Sequence, residues 1–284
     1  MKITKYYKVA EHIFSVNAEE FYENYEPFLT EKTFNTVFSL EVLSGGFNES
    51  FIEEVSQDEE GQKIICGHTD KNFPLFEMWL FGNKAGVLVC QPDYKSGLLY
   101  AEKGFEKFSF DNALMIIYAL ATASESTLLF HSSVIAYENK AYMFLGKSGT
   151  GKSTHSRLWL KNFQSAALLN DDNPVVRIFK DKSIKVYGSP WSGKTPCYKN
   201  LEFPLGGIVS LSQAKSNKIS ELKGVCAYAT IVTAISGKRW DRQIADSLHE
   251  SENFLAQNTK MYKLDCLPDD GAAVLCKETI TNDR

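Results

Sequence analysis

Glycines, lysines and hydroxyl side chains form the run whose residue types and spacing are best suited to chemistry in this sequence. The run comprises Gly146, Lys147, Ser148, Gly149, Thr150, Gly151, Lys152 and Ser153, and Thr154 follows it. It fits the pattern G-x-x-x-x-G-K-[S/T], in which glycine lets backbone N–H groups approach phosphate oxygens without a Cβ clash. Lys152 would supply a cation for the β- and γ-phosphates, and Ser153 a hydroxyl for Mg²⁺. The run therefore predicts binding of ATP with Mg²⁺ at residues 146–154.

The surroundings of this run favour a phosphate site over the alternative, which is a purely structural glycine turn. Residues 141–145 are apolar and predict a strand, and residues 153–161 predict a helix. A helix that begins at the run would direct the positive end of its dipole at the same anion. The order strand, glycine-rich loop and helix is therefore the arrangement that phosphate binding requires.

A second run, from Gly188 to Thr195, fits the same pattern but has different surroundings. Pro190 removes an N–H group from the loop, Pro196 follows directly, and no helix is predicted after it. Without a helix N-terminus the site would lack the dipole that attracts phosphate. We therefore expect either an ordinary loop or an active-site loop that presents Lys194 to a phosphoryl acceptor, and no second nucleotide site.

Two adjacent carboxylates, Asp171 and Asp172, follow an apolar stretch at residues 166–169 that predicts a strand. One carboxylate could hold Mg²⁺ while the other accepts the proton of an acceptor hydroxyl. Neighbouring side chains on a strand point to opposite faces, so a turn at Asn173 and Pro174 is needed for both to reach one site. The alternative is a solvated Asp-Asp-Asn-Pro turn, since these residue types favour turns.

Several other polar residues have both a functional and a structural interpretation. His131 lies in an apolar run and could either face the γ-phosphate or be a hydrogen-bonded core residue. His155, two residues after Ser153, could instead lie on the helix surface. Arg239 and Arg242 could stabilise charge during transfer or form surface salt bridges.

The elements that must position these residues divide the sequence into two parts. Residues 1–110 are predicted to form a smaller strand-rich domain, with strands at 77–81, 86–90, 97–101 and 105–110. Residues 111–284 are predicted to form the domain that carries the glycine-rich run, beginning with a helix at 111–123. In this domain we expect hairpins at 128–145 and 174–187, a strand at 207–211 and a helix at 241–257. The mixture predicts an α/β (mixed α+β) class with a mixed sheet.

Composition limits the partners and the cellular compartment that we expect for this protein. The chain has 284 residues and a net charge of −4, so no strongly basic face is implied and nucleic acid is not an expected partner. Residues 1–16 lack the apolar core of a signal peptide, and no apolar stretch approaches a membrane-spanning length. The six scattered cysteines indicate reduced thiols. We therefore expect a cytoplasmic protein that does not contact a membrane.

The order of His131, the hairpin into the glycine-rich run and the strand ending in Asp171 and Asp172 resembles the catalytic domain of HPr serine kinase/phosphorylase. That domain has the phosphoenolpyruvate carboxykinase-like P-loop fold, and the resemblance covers residues 128–211. It implies a mixed sheet around an ATP site, with Lys152 on the phosphates and His131 near them. It further implies Ser153 and Asp172 near Mg²⁺, Asp171 as the catalytic base, and association into a homo-oligomer.

From this resemblance we expect an Mg·ATP-dependent kinase that transfers the γ-phosphoryl group to a hydroxyl. The acceptor would be a serine of a protein or peptide, or a small hydroxylated molecule. Two alternatives stay open at this point. One is a phosphoenolpyruvate carboxykinase-like lyase that acts on oxaloacetate, and the other is a non-catalytic regulator that binds ATP.

Overall fold

The computed structural model describes residues 1–193 and 195–282, and contacts within the chain divide it into two compact units. The first unit is Met1–Thr122, and the second begins at Ala123. The boundary predicted after residue 110 falls inside a helix that packs on strands of the first unit, which is why the helix stays with that unit. No helix in the described ranges is long and apolar enough to cross a bilayer.

Residues 1–122 lie wholly within the described part of the chain and form a nine-stranded mixed sheet with a long helix. The elements are β1 (Ile3–Val9), β2 (His12–Ala18), β3 (Leu29–Thr30), β4 (Ser39–Ser44), β5 (Phe51–Glu59), β6 (Gln62–Thr69), β7 (Pro74–Leu80), β8 (Asn83–Cys90), β9 (Ser96–Ala101) and α1 (Glu106–Thr122). The strand order is β3-β1-β2-β4-β9-β8-β7-β6-β5. Strand β4 pairs in parallel with β2 and β9. The strands predicted at 77–81, 86–90 and 97–101 are confirmed, since these ranges coincide with most of β7, β8 and β9.

The strand predicted at residues 105–110 is wrong, because this segment enters helix α1. Its aromatic residues favour a strand in isolation. However, Phe110, Leu114 and Tyr118 recur at helical spacing and are all buried, so tertiary packing selects the helix. The Glu106 carboxylate accepts a hydrogen bond from the backbone N–H of Gly104 (2.9 Å), which stabilises the negative side chain at the helix N-terminus.

The second unit contains the glycine-rich run and a second mixed sheet. Its described elements are β10 (Thr127–Leu129), β11 (Ser132–Tyr137), β12 (Lys140–Leu145), α2 (Lys152–Asn162), β13 (Ala167–Asp172), β14 (Val175–Ile178), β15 (Ile184–Tyr187), β16 (Glu202–Gln213), β17 (Lys218–Leu222), α3 (Gly224–Val232), α4 (Arg242–Asn258), β18 (Met261–Cys266) and α5 (Asp270–Asn282). The main strand order is β10-β14-β15-β16-β12-β11-β13, and β18 joins β16 to β17. Strand β16 pairs in parallel with β12 and β18 and antiparallel with β15, which confirms the expected mixed α/β class.

Two predicted hairpins frame the glycine-rich run. Strands β11 and β12 pair antiparallel, and the turn between them has positive φ at Glu138 (48°) and Asn139 (60°). Positive φ at both central residues is the geometry that joins two twisted strands most closely. Strands β14 and β15 form the second hairpin, as predicted, whereas α3, α5, β17 and β18 were not anticipated.

Helix α2 is fixed on the sheet by a buried aromatic cluster. Trp159 is fully buried, and its ring centroid lies 5.6 Å from that of Phe144 and 5.7 Å from that of Tyr142, both on β12. The hydroxyl of Ser156 lies 2.6 Å from that of Ser133 on β11. These contacts hold the N-terminus of α2 at the carboxyl end of β12, where the glycine-rich loop connects the two elements.

The prediction that His155 lies on the helix surface is wrong. The side chain is buried, and its ring meets that of Phe144 edge-on with centroids 4.7 Å apart. His155 Nε2 accepts a hydrogen bond from Trp159 Nε1 (3.2 Å), one turn further along α2. Burial lowers the pKa of His155 from 6.5 to about 4, so the imidazole is neutral in the folded protein near pH 7.

This lowered pKa predicts acid sensitivity of the second unit. From pH 6.5 down to about 4, the unfolded chain takes up a proton at His155 that the folded chain excludes, so the free energy of unfolding falls as the pH falls. The full contribution is on the order of 3 kcal/mol, since each pKa unit corresponds to about 1.4 kcal/mol. Denaturant unfolding at several pH values should show this loss in the wild type and a shallower pH dependence in His155→Gln. Equal pH dependence in both proteins would contradict the assignment.

Candidate active site

The glycine-rich loop connects β12 to α2 and has a backbone that only glycine adopts readily. Gly149 has φ of 75° and Gly151 has φ of 108°, both in the left-handed region. Gly151 is the residue immediately before the helix. The amide side chain of Gln213, at the end of β16, donates to the carbonyl oxygen of Gly149 (3.2 Å). Gln213 therefore fixes the loop directly before the N-terminus of α2, the end of a helix that favours anions.

Lys152 lies at the centre of the site. Its ammonium donates to the carbonyl oxygen of Gly146 (2.9 Å) and lies 2.9 Å from Nε2 of His131. An ammonium group has only donors, so Nε2 must be the acceptor and the ring proton lies on Nδ1. His131 Nδ1 is 3.1 Å from Oδ1 of Asp172, which makes a continuous chain from Lys152 through His131 to Asp172.

The structure places His131 between β10 and β11 and not within a strand. The backbone N–H donates to the carbonyl oxygen of Ala234 (2.7 Å), where the chain passes from one strand to the next. The alternative interpretation of His131 as a core residue is wrong, since its side chain is 45% exposed and contacts Lys152 and Asp172. A break between two short strands explains how an apolar run can turn one polar ring toward the loop.

Asp171 and Asp172 both lie next to the glycine-rich loop, but they contact different residues there. Asp171 is buried, and its Oδ1 accepts a hydrogen bond from Ser153 Oγ (3.0 Å). Asp172 contacts His131 through Oδ1, and its Oδ2 accepts from the Asn173 side-chain amide (2.9 Å). The alternative of a solvated turn therefore fails for Asp171 in particular. Asp172 has φ of 152°, an unusual backbone angle for a residue other than glycine.

The second glycine-rich run lies beside these aspartates. The backbone N–H of Gly193 donates to the carbonyl oxygen of Asp171 (2.8 Å), and Ser192 forms an isolated antiparallel bridge with Asp172. No helix follows within residues 195–201, as predicted, so this run lacks the helix N-terminus that attracts phosphate. Lys194, which was considered as a residue presented to the acceptor, lies outside the described residues.

The two arginines considered for charge stabilisation have other partners. Arg239 Nη2 lies 2.6 Å from Glu252 Oε1, and it donates to the Val232 carbonyl oxygen (2.8 Å). Glu252 is fully buried, so this ion pair ties the end of α3 to α4 and is not a surface salt bridge. Arg242 is exposed and lies 3.8 Å from Asp246 one turn along α4, which is the surface pair that the sequence allowed.

The side-chain oxygen atoms of Ser153 and Asp171 are of the type that Mg²⁺ prefers when phosphates supply its other ligands. The described residues contain no group of three or more His, Cys, Asp or Glu side chains that could hold a metal ion by themselves. Mg²⁺ is usually bound by one or two carboxylates with water and substrate phosphates, and not by an all-protein cage. The Ser153 hydroxyl and the Asp171 carboxylate, 3.0 Å apart, supply hard oxygen ligands of this kind.

Two residues of the site were not found by sequence reasoning. Gln213 ends β16 and holds the glycine-rich loop, and Asn170 precedes Asp171 on β13 and is fully buried. Both are polar residues at the carboxyl ends of largely apolar strands. That position is a usable signal, because ligand sites of α/β sheets lie at the carboxyl ends of strands.

Comparison with known proteins leaves the chain without an assigned family. No protein-family model matches the sequence, and no curated protein matches it either.

Proposed function

We propose that this protein is an Mg·ATP-dependent kinase that transfers the γ-phosphoryl group of ATP to a hydroxyl. We further propose that the second unit is an HPr kinase-like catalytic domain with the phosphoenolpyruvate carboxykinase-like P-loop fold. One observation carries the proposal: the first two residues of α2, Lys152 and Ser153, contact His131 and Asp171, and His131 in turn contacts Asp172. Two sets of contacts that start from neighbouring residues, Lys152–His131–Asp172 and Ser153–Asp171, therefore bring a histidine and two carboxylates to the glycine-rich loop.

The loop and Lys152 are assigned to the triphosphate. Backbone N–H groups of residues 146–153 and the N-terminus of α2 favour negative charge. Lys152 Nζ donates to the Gly146 carbonyl and, at 3.4 Å, to that of Lys147. On nucleotide binding this ammonium would exchange weak carbonyl contacts for charged phosphate oxygens, which bind it more strongly. His131 would then lie near the same phosphate, with its Nδ1–H still donating to Asp172.

Ser153 and Asp171 are assigned to the metal. These two side chains would hold Mg²⁺, and the metal would supply positive charge that offsets the negative charge developing on the phosphates during transfer. The buried Asp171 carboxylate, already hydrogen-bonded to Ser153, is oriented for this position by its neighbour. The sequence-based expectation paired Ser153 with Asp172 instead, and the observed contacts favour Asp171 for that role.

Asp172 with His131 is assigned to the acceptor hydroxyl. Asp172 is more exposed than the buried Asp171, so it can be reached by an acceptor. The acceptor oxygen would form a bond to the γ-phosphorus while the bond from that phosphorus to the β,γ-bridging oxygen breaks. The hydroxyl proton would pass to the Asp172 carboxylate, and ADP would leave. The sequence-based expectation gave this role to Asp171, and variants of the two aspartates distinguish the assignments.

A labelling experiment tests the proposal. The protein is incubated with γ-labelled ATP, Mg²⁺ and fractionated lysate from its source, and label is followed into protein, peptide and small-molecule fractions. We expect label in one acceptor fraction, dependent on Mg²⁺ and strongly reduced with Lys152→Met. Tight binding of Mg·ATP without transfer to any fraction would favour the regulator, and nucleotide-dependent release of CO₂ from oxaloacetate would favour the lyase.

A further inference from the structure

We propose that residues 188–193 act as a clamp that sets the positions of Asp171 and Asp172, with Asn170 as the positioning residue. The inference rests on the proposed function, because it assigns a role toward the metal and acceptor groups of that same site. It also gives a role to the second glycine-rich run, which resembles a phosphate loop in sequence without being one in structure.

Asn170 connects β13 to the clamp. Its side-chain amide nitrogen donates to Ser189 Oγ (3.1 Å) and to the carbonyl oxygen of Trp191 (3.1 Å). A carbonyl oxygen can only accept, so these contacts fix which end of the amide is the nitrogen. Asn170 Oδ1 is buried and has no hydrogen-bond partner among the described residues, so the amide is placed for its two donors. An unmade buried hydrogen bond costs about 1–3 kcal/mol, which argues that the arrangement serves more than stability.

Ser189 contacts the residues on both sides of the aspartate pair. Its hydroxyl donates to the carbonyl oxygen of Asn173 (2.5 Å) and accepts from Asn170 and from the backbone N–H of Trp191 (3.2 Å). Asn170 immediately precedes the two aspartates, and Asn173 immediately follows them. One buried hydroxyl therefore holds both ends of the Asp171–Asp172 segment at a fixed separation.

The clamp also holds the backbone of the aspartates. The Gly193 N–H donates to the Asp171 carbonyl oxygen, and Asp172 bridges to Ser192. A Cβ atom at Gly193 would lie 3.2 Å from both the Asp171 carbonyl oxygen and the Asp172 Cβ, so glycine permits this close approach. An unusual backbone angle such as φ of 152° at Asp172 persists only where surrounding contacts impose it.

This backbone angle explains how adjacent aspartates serve one site. In a regular strand, Asp171 and Asp172 would point to opposite faces, and Asp172 would share a face with Asn170. The clamp interrupts that alternation, so Asp171 meets Ser153 while Asp172 meets His131. Asn170, Ser189 and Trp191 are themselves buried, which places them behind the aspartates and not in contact with substrate.

The test is the Mg²⁺ dependence of ATP binding by the full chain. ATP is titrated calorimetrically into wild type and Asn170→Ala over a range of MgCl₂ concentrations and in EDTA. We expect Asn170→Ala to raise the Mg²⁺ concentration for half-maximal ATP binding by roughly 10–100-fold, the usual effect of losing a group that orients a metal ligand. Affinity for ATP in EDTA should stay at the wild-type value, because the loop and Lys152 are unchanged.

Two further variants make the outcome decisive. Asn217→Ala is the matched control, since Asn217 also ties two segments through its amide, to Asp269 (2.9 Å) and Leu267 (2.8 Å), and should leave the Mg²⁺ dependence unchanged. Ser189→Ala removes only the clamp hydroxyl and replaces Asn170→Ala if that variant does not fold. A folded clamp variant with wild-type Mg²⁺ dependence overturns the clamp alone. Failure of the wild type to bind Mg·ATP overturns the proposed function and the clamp with it.

Discussion

Replacement of Lys152 by methionine is expected to reduce phosphoryl transfer by roughly 10²–10³-fold, the usual cost of removing one electrostatic contact to a developing charge. Methionine keeps the length of the side chain but removes the cation that donates to Gly146 and to His131. The positive charge is needed most as negative charge shifts toward the leaving phosphate oxygens, so turnover should fall more than ATP affinity. Steady-state kinetics with the labelled acceptor, together with calorimetry for binding, measure the two effects separately.

The control for this variant is Lys161→Met on the same helix. Lys161 is exposed and pairs with Asp270 (2.7 Å), far along α2 from the loop. Loss of an exposed ion pair changes stability by less than about 1 kcal/mol and should leave turnover unchanged. If Lys152→Met turned over at the wild-type rate, the glycine-rich loop would have no role in the reaction.

The substitution Asp172→Asn is expected to lower turnover by roughly 10²–10⁴-fold, the range for loss of a general base. The amide retains the shape and can still contact His131, but it cannot take up the acceptor proton. Mg·ATP affinity should stay close to wild type, since the metal is assigned to Ser153 and Asp171. The substitution Asp171→Asn should instead weaken Mg²⁺-dependent ATP binding by at least roughly 10–100-fold, which is the cost of losing a group that only orients a metal ligand.

Comparing the two asparagine variants decides which aspartate has which role. Binding loss with Asp172→Asn and a pure turnover defect with Asp171→Asn would restore the sequence-based assignment, in which Asp171 is the base. Asp246→Asn serves as the matched control because Asp246 is exposed on α4 and pairs only loosely with Arg242 (3.8 Å). Asp171→Asn and Asp172→Asn proteins that both bind Mg·ATP and turn over at the wild-type rate would exclude the carboxylates from catalysis.

Local signals allowed much of the second unit to be predicted. The strand before the loop, the helix after it and the two hairpins depend on residues close in sequence, such as the turn at Glu138 and Asn139. Left-handed φ at Gly149 and Gly151 likewise follows from residue type. By contrast, residues 105–110 became helical because Phe110 is buried with residues further along α1, and local β-propensity could not reveal that packing.

The details of the site depend on contacts between distant residues. His131 and Lys152 are 21 residues apart, and Asn170 meets Trp191 across the same separation. Periodicity could not indicate that β10 ends before His131, or that Asp172 adopts an unusual φ that frees it from the strand alternation. Burial of His155 was missed for a similar reason, since the polar ring is accommodated by Phe144 and Trp159.

The most direct measurement is a crystal structure of the protein with Mg²⁺ and a non-hydrolysable ATP analogue. The proposal predicts the γ-phosphate within hydrogen-bonding distance of Lys152 Nζ and the metal about 2.1 Å from Ser153 Oγ, with the Asp171 carboxylate on the same metal directly or through water. Phosphates bound away from residues 146–153, or a metal with no contact to either Ser153 or Asp171, would contradict it.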